Sequence, residues 1–523
     1  MNIKKTLLNF FLILALFIIL ISLSYFYLDY FNINRHWSSQ FDQELTFAYN
    51  ALLFNSGIQH EFIDHSAYFT ILFLSIFIRI AELLNFIDFY NLRTFLEKDN
   101  LDMSLQQIIP LIRIYGGIAL AFWGVIVSLL FYQISQSRIF SFLLTLLIFS
   151  MPGTIENAWQ LRTELISSLF MILSLIMIIN YFNNENSKYQ FEKLFLFFIF
   201  LYSAILNKSQ VFFYVPLLVL YSLFYFNKIN QLKLHFLKEL SKKKYLYFFY
   251  SLIILYIVLK LILYKGSILS LIFILFIIMG LNIIFFYLAK KSNLNLLNYI
   301  NHFNLILILS FILFKGILFI HPSTNEMAFN NTFTDIMGVL KYSVFNGESI
   351  DQSTFLSKIN LIFSNLISSI NKYFFNINVY SILVYLSVIS NFLFKKKIGN
   401  NIFILNFVCL SIPVLFTFIG SFRNIQYIEP SYYNIFWDFF FMLPFCNLFK
   451  IINIKFSAIL IIILIGLTPM NYKYIVNTKK SILKKENNLV SLCKEFREKG
   501  ETSYLVAFQT KIPEQKFIEL CSK

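Results

Sequence analysis

The sequence predicts an all-helical, polytopic transmembrane bundle, and three observations predict it. The 523-residue chain is 58% hydrophobic and only 13% charged, well outside the range of a soluble globular domain. Apolar runs of roughly 13 to 24 residues recur along most of its length, without the alternation that the strands of a closed barrel need. Its lysines gather in short loops between those runs. A net charge of +16 would point to nucleic acid in a soluble protein. Here the positive-inside effect accounts for it, so membrane lipids and not nucleic acid are the expected surroundings.

The elements follow in chain order. Lys4 and Lys5 place the N-terminus in the cytoplasm, and the run from 6 to 29 is a first crossing that delivers residues 30 to 66 to the far side. That run is too long for a signal-peptide core and lacks a small-residue cleavage site, so it is expected to remain in place. At the start of "QFDQELTFAYNALLFNSGIQHEFIDHS" (residues 40 to 66), the preceding Ser39 and Asp42 form a capping-box-like start, and Phe41, Leu45, Ala48 or Tyr49, and Leu52 recur at helical spacing. Gly57 suits a left-handed C-cap. These features predict a short interfacial helix over 40 to 55, lying along the membrane surface. Asp64 then stands as an N-cap before the next apolar run.

Three lysine-rich loops, 227 to 245, near 290 and near 395, fix cytoplasmic points further on. Between them, 194–207, 246–264, 305–320 and 402–420 rise to the far side. The segments 165–182, 211–226, 267–288, 376–393 and 435–449 return. All anchors agree if 67 to 87 dips into the membrane and stays on the far face. That gives about thirteen crossings, with the N-terminus in and the C-terminus out. The chain then divides into a membrane domain, 1 to 468, and a small extracytoplasmic segment, 469 to 523. Cys409 and Cys446 sit in apolar runs as core residues; Cys493 and Cys521 lie in the tail and can pair in an oxidising compartment.

This threading gathers the unusual polar residues on one side: Asp42, Glu44, Asp64 and His65, then Arg162 and Glu164, Lys208, and finally Arg423 and Tyr427. Each also has a plain structural reading. Asp42, Glu44 and Glu164 suit a first helical turn. Asp64 and His65 suit the membrane interface, and Lys208 can snorkel from a hairpin tip. Ionisable groups at membrane depth cost roughly 2.5–3.5 kcal/mol on insertion scales, so their collection on one side points to a site.

The order of these residues resembles the GT-C superfamily of integral-membrane glycosyltransferases, of the protein mannosyltransferase and aminoarabinose transferase type. The residues that carry the resemblance are "FDQELTFAYNALLFNSG" with "IDHS", Glu164 in "QLRTELISSLF", Lys208, and Arg423, Tyr427 and Pro430 in "RNIQYIEP". It covers most of 1 to 235 and the stretch from 420 to 435. Ser66 stands where a proline is common in the family, and Glu164 stands where the family has an aspartate.

The resemblance implies transfer of a sugar from a polyprenyl-phosphate donor to an extracytoplasmic glycan, lipid or protein acceptor, at the cell (inner) membrane. Asp42 would be the general base, with Glu44 a supporting or competing candidate. Lys208, Arg162 and Arg423 would hold the donor phosphate and Tyr427 would line its groove. Glu164 would orient the acceptor, an Arg or a metal, while Asp64 and His65 shape the pocket wall. The resemblance fixes no cofactor; a divalent cation, Mg or Mn, bridging Asp42 or Glu44 to the phosphate is compatible with it, although the sequence shows no ligand set. Direct displacement predicts inversion at the anomeric carbon. The alternatives are a polysaccharide polymerase or ligase using a lipid-linked oligosaccharide, and a lipid-linked-glycan transporter. A transporter would carry its ionisable residues mid-helix between internal repeats, which this sequence does not show.

Overall fold

In the computed structural model of the chain, the described residues are 3–37, 44–58, 67–183, 190–208, 379–420 and 431–449, with a few single positions elsewhere. Every regular element among them is helical. They are α1 (Ile3–Tyr30), α2 (Glu44–Asn55), α3 (Tyr68–Leu83), α4 (Leu92–Leu96), α5 (Leu101–Ser135), α6 (Arg138–Phe149), α7 (Pro152–Trp159), α8 (Thr163–Asn183) and α9 (Gln190–Asn207). Then follow α10 (Val379–Leu393), α11 (Lys395–Gly420), a 3₁₀ turn over Ser431–Phe436, and α12 (Asp438–Phe449). Three stretches are long and apolar enough to cross a membrane: Phe11–Tyr30, Leu101–Ser135 and Thr163–Tyr181. α6 and α7, bent by 66° at their junction, make a possible fourth as a broken span. The expected segments at 211–226, 246–264, 267–288, 305–320 and 456–468 lie outside the described residues.

Two compact units can be distinguished. One comprises Met1–Ile172, Ser203–Phe212 and Leu318–Lys523; the other comprises Leu173–Tyr202 and Phe213–Ile317. All that follows concerns the first.

Local chemistry sets where its helices begin and end. Asn100 caps α5 by accepting from the Met103 amide, and Asp102 adds a carboxylate to the first turn, where the helix dipole favours it. Gln136 closes the helix in the left-handed conformation at φ 59°. Ser137 at once caps α6 through the Phe140 amide, so the chain reverses within two residues. Pro152 opens α7, where its missing N–H costs nothing. Close packing of α1, α5 and α6 rests on Gly124: a Cβ there would run into the Phe149 ring and come within 2.8 Å of Leu20.

Hydrogen bonds between elements fix the helix directions. The start of α5 is tied to the chain just past α1. The Trp37 indole donates to Asp102 at 2.7 Å, the Trp37 amide to Gln106 at 3.0 Å, and Gln106 to the Asn34 carbonyl at 3.2 Å. α5 therefore begins at the end of the bundle where α1 finishes, here termed the upper end. Between Trp37 and Leu101 the chain makes no net traverse. At 35 residues α5 runs about 52 Å at 1.5 Å per residue, far more than a hydrocarbon core of about 30 Å. α6 returns upward: the Tyr27 hydroxyl donates to the Phe149 carbonyl at 3.1 Å. α7 stays at the upper end, where its Trp159 carbonyl accepts from Arg35, and α8 starts there.

The later helices share the same axis. Asn434 in the 3₁₀ turn donates to the Tyr380 hydroxyl near the start of α10 at the upper end. At the lower end Phe449 stacks on Phe140 at 4.1 Å. There Asn391, Asn406 and Asn447 form a buried relay at 2.6 and 2.8 Å across α10, α11 and α12. Such relays fix register between apolar helices because each amide has nowhere else to turn.

α2 falls within the helix expected over 40 to 55. Ten of its twelve residues are buried, on all sides, because α3, α4 and α5 enclose it. The Gly57 turn is as expected, at φ +68°. Cys409 and Cys446 are buried and free, and Cys493 is bridged to Cys521. A topology reporter fused after Asn100 is expected to read the same side as one fused after Asn34. A reading on opposite sides contradicts the zero net traverse between α1 and α5.

Candidate functional site

The upper end holds two buried ionic clusters. The first is built on Arg113, twelve residues into α5 and wholly buried among Ile108, Ile109, Leu111 and Ile112. A guanidinium at that depth needs partners for its fork of donors. Nε and Nη2 donate to the Glu44 carboxylate at 3.1 and 3.0 Å, and Nη1 donates to the carbonyls of Ile33 and Arg35 at 3.0 and 2.9 Å. Arg35 approaches the other side of the same carboxylate at 3.6 Å. It also donates to the Trp159 carbonyl at 3.0 Å and lies over the Trp159 ring at 5.1 Å. Burial, then the neighbouring Arg113 charge, pull the Arg35 guanidinium down to about 9, with Glu44 opposing them, so it stays protonated at neutral pH. Glu44 thus holds together α2, α5 and the segment after α1.

The second cluster sits where α8 begins and α9 ends. Lys208 Nζ is 2.9 Å from Glu164 Oε1, and each side chain is only 1% exposed. The Thr163 hydroxyl donates to the other carboxylate oxygen at 3.2 Å, and the buried Arg162 guanidinium acts on Glu164 through its charge. Asn207 holds the pair in place with every valence of its amide. Nδ2 donates to the Thr163 carbonyl and the Ser167 hydroxyl at 2.8 and 2.9 Å. Oδ1 accepts from the Thr70 amide and hydroxyl at 2.8 and 3.0 Å, while its backbone carbonyl accepts from Ala67. One residue therefore ties the starts of α3 and α8 to the end of α9.

The Trp159–Thr163 connection joins the two clusters, with Leu161 resting on Gly116, one turn beyond Arg113. A third buried acid, Asp438, opens α12 against α7. A Cβ at Gly153 would come 2.6 Å from its Oδ2 and 2.7 Å from the Ile435 amide nitrogen, so only glycine allows this approach. Ser168 then links α8 to this corner, donating to the Ile435 carbonyl at 2.9 Å while accepting from Trp123.

Of the residues singled out in the sequence, Glu44, Arg162, Glu164 and Lys208 lie at this one end and are buried. Asp42, Asp64, His65, Arg423 and Tyr427 lie outside the described residues. Four others were not foreseen: Arg35, Arg113, Asn207 and Asp438. Arg113 and Asp438 carried a readable signal, since each is a single charge inside a long apolar or aromatic run, where ionisable groups are costly. Among the described residues no group of three or more His, Cys, Asp or Glu is placed to hold a metal ion. Comparisons with protein-family models, curated proteins and solved structures returned no match to this chain.

Chemically, the upper end offers guanidinium and ammonium groups away from bulk water, where a charge acts more strongly on an anion than it does in solution. The cluster around Glu44 is expected to show the asymmetry of buried ion pairs. Glu44→Ala strands two guanidinium groups and should cost about 3–5 kcal/mol. Glu44→Leu combined with Arg113→Met strands fewer charges and should cost clearly less. Thermal unfolding of the detergent-solubilised protein distinguishes these cases, and equal losses would contradict the assignment.

Proposed function

We propose that the chain is an integral-membrane glycosyltransferase of the GT-C type, moving a sugar from a polyprenyl-phosphate donor to an extracytoplasmic glycan, lipid or protein acceptor. The observation that carries this reading is the buried Glu164–Lys208 pair beside Arg162. Three ionisable residues from two distant parts of the chain meet at one end of an apolar bundle, at a desolvation cost that favours a functional role. The helix directions support the charge-based threading: the ends of α1, α7 and α9 and the starts of α5 and α8 share the upper end, which is the extracytoplasmic end in that threading. The full arrangement proposed is about thirteen crossings with the N-terminus inside, in the cell membrane.

In this reading Asp42 takes the proton from the acceptor nucleophile as that atom attacks the anomeric carbon and the lipid phosphate leaves. Lys208 and Arg162, with Arg423, neutralise the charge gathering on the leaving phosphate. Glu164 sets the position of Lys208. Glu44, two residues after Asp42, has its oxygens committed to Arg113 and Arg35, which fits an anchoring role better than proton transfer. Direct displacement inverts the anomeric centre. A transporter would need mobile mid-helix charge. Arg113, the mid-helix charge of α5, is bound to a carboxylate and two backbone carbonyls.

The test is transfer by purified protein from a panel of polyprenyl-phosphate sugars. Asp42→Asn is expected to lower the rate by about 10²–10⁴-fold, the usual contribution of a general base. Lys208→Ala is expected to lower it by about 10²–10³-fold, as for loss of one preorganised stabilising group. Transfer with retention, or near-normal rates in both variants, would remove this reading.

A further inference from the structure

α3 presents two faces. Thr70, Ile71, Leu74, Ile78 and Ala81 are buried on one of them, toward α2. On the other, Phe69, Phe73, Ile76, Ile80 and Leu83 recur at alternating spacings of four and three, which draws one straight stripe along a helix. Phe69 and Phe73 are half-buried, whereas Ile76, Ile80, Leu83 and, just beyond the helix, Phe86 are 47% to 70% exposed. Arg79, at the edge of the stripe, is turned aside over the Tyr90 ring at 5.2 Å. Large apolar side chains exposed in one line mark a surface that something apolar covers. At 16 residues the helix runs about 24 Å.

The stripe begins at the second ionic cluster. Thr70 is bonded through its amide and hydroxyl to Asn207, and Lys208 follows Asn207 directly. Phe69 meets Phe170 of α8 at 5.0 Å and Phe73 meets the same ring at 6.1 Å, so the apolar surface opens within two turns of Glu164. We propose that this stripe carries the isoprenoid chain of the donor lipid, whose phosphate is held by Lys208 and Arg162. A ligand that uses both an ionic cluster and a contiguous apolar stripe must join an anion to a long apolar tail. A polyprenyl phosphate does so with a single slim chain, which suits cations that are almost wholly buried. Covering the stripe with that chain removes apolar surface from contact with water and adds affinity away from the reacting end. The inference rests on the reading that a lipid phosphate binds here, and adds the route its chain takes.

The test uses the full chain in detergent and a radiolabelled long-chain polyprenyl phosphate. A benzophenone amino acid replaces Ile80, and a control variant carries it at Ile389, which is 55% exposed on α10 toward the lower end. Irradiation should give an adduct from position 80 and none from position 389. Unlabelled polyprenyl phosphate should compete the adduct away, and phosphatidylglycerol should not. Polyprenol of the same length should compete about tenfold less well, for want of the charged head. Equal competition by phosphatidylglycerol or by polyprenol, or equal adducts at both positions, would overturn the proposal. The joint variant Ile76→Ser, Ile80→Ser and Leu83→Ser changes exposed side chains only, and should raise the Kd for polyprenyl phosphate about ten- to one hundred-fold. An unchanged Kd in that variant, with no adduct at position 80, would overturn the route of the chain and leave the transferase reading standing. Absence of saturable binding to the unaltered protein would overturn that reading and this inference with it.

Discussion

Burying Arg113 inside α5 is the constraint on which the upper end depends. An unpaired guanidinium there would be prohibitive, so the chain after α1 must curl back to offer the Ile33 and Arg35 carbonyls, and α2 must begin with Glu44 facing inward. Arg35 adds a second positive charge to the same carboxylate and fixes the end of α7 through the Trp159 carbonyl. Four segments distant in sequence are thereby brought to one place. Apolar packing alone would hold them less specifically, since many helix pairings bury similar area, whereas directional bonds to one guanidinium admit few.

Asn207 does for the second cluster what Arg113 does for the first. Its amide satisfies two acceptors and two donors on α8 and α3, and Lys208 follows it directly, so the ammonium can reach Glu164 without freedom to wander. A preorganised cation costs little reorganisation when charge develops beside it, which is how electrostatic catalysis works in dry sites. The proposed chemistry therefore rests on amides and backbone carbonyls as much as on the ionisable groups themselves.

Much of this was legible in the sequence, and the remainder for identifiable reasons was not. The helical class followed from long apolar runs, and the run from 6 to 29 became Ile3–Tyr30, while 165–182 and 194–207 fall within α8 and α9. Threading by lysine-rich loops put Arg162, Glu164 and Lys208 on one side, and the chain does bring them together. Periodicity foresaw α2 as a helix, but it describes one buried stripe and is blind to the enclosure by α3, α4 and α5. Arg113 was passed over within its apolar run although its isolation was the signal. Its pairing with Glu44 spans 69 residues and has no local trace. The pairing of Cys493 with Cys521 likewise depends on a meeting in space that spacing alone does not determine.

The central claim is that a lipid phosphate is bound at the upper end, beside Lys208 and Arg162. Photo-crosslinking measures it directly. A benzophenone amino acid replaces Gln160, in the connection between the two clusters, and a control variant carries it at Lys396, at the opposite end of the bundle. Irradiation with a polyprenyl-phosphate sugar should give an adduct from position 160 that unlabelled polyprenyl phosphate competes away, with none from position 396. No adduct at 160, or equal adducts at both positions, would contradict the account.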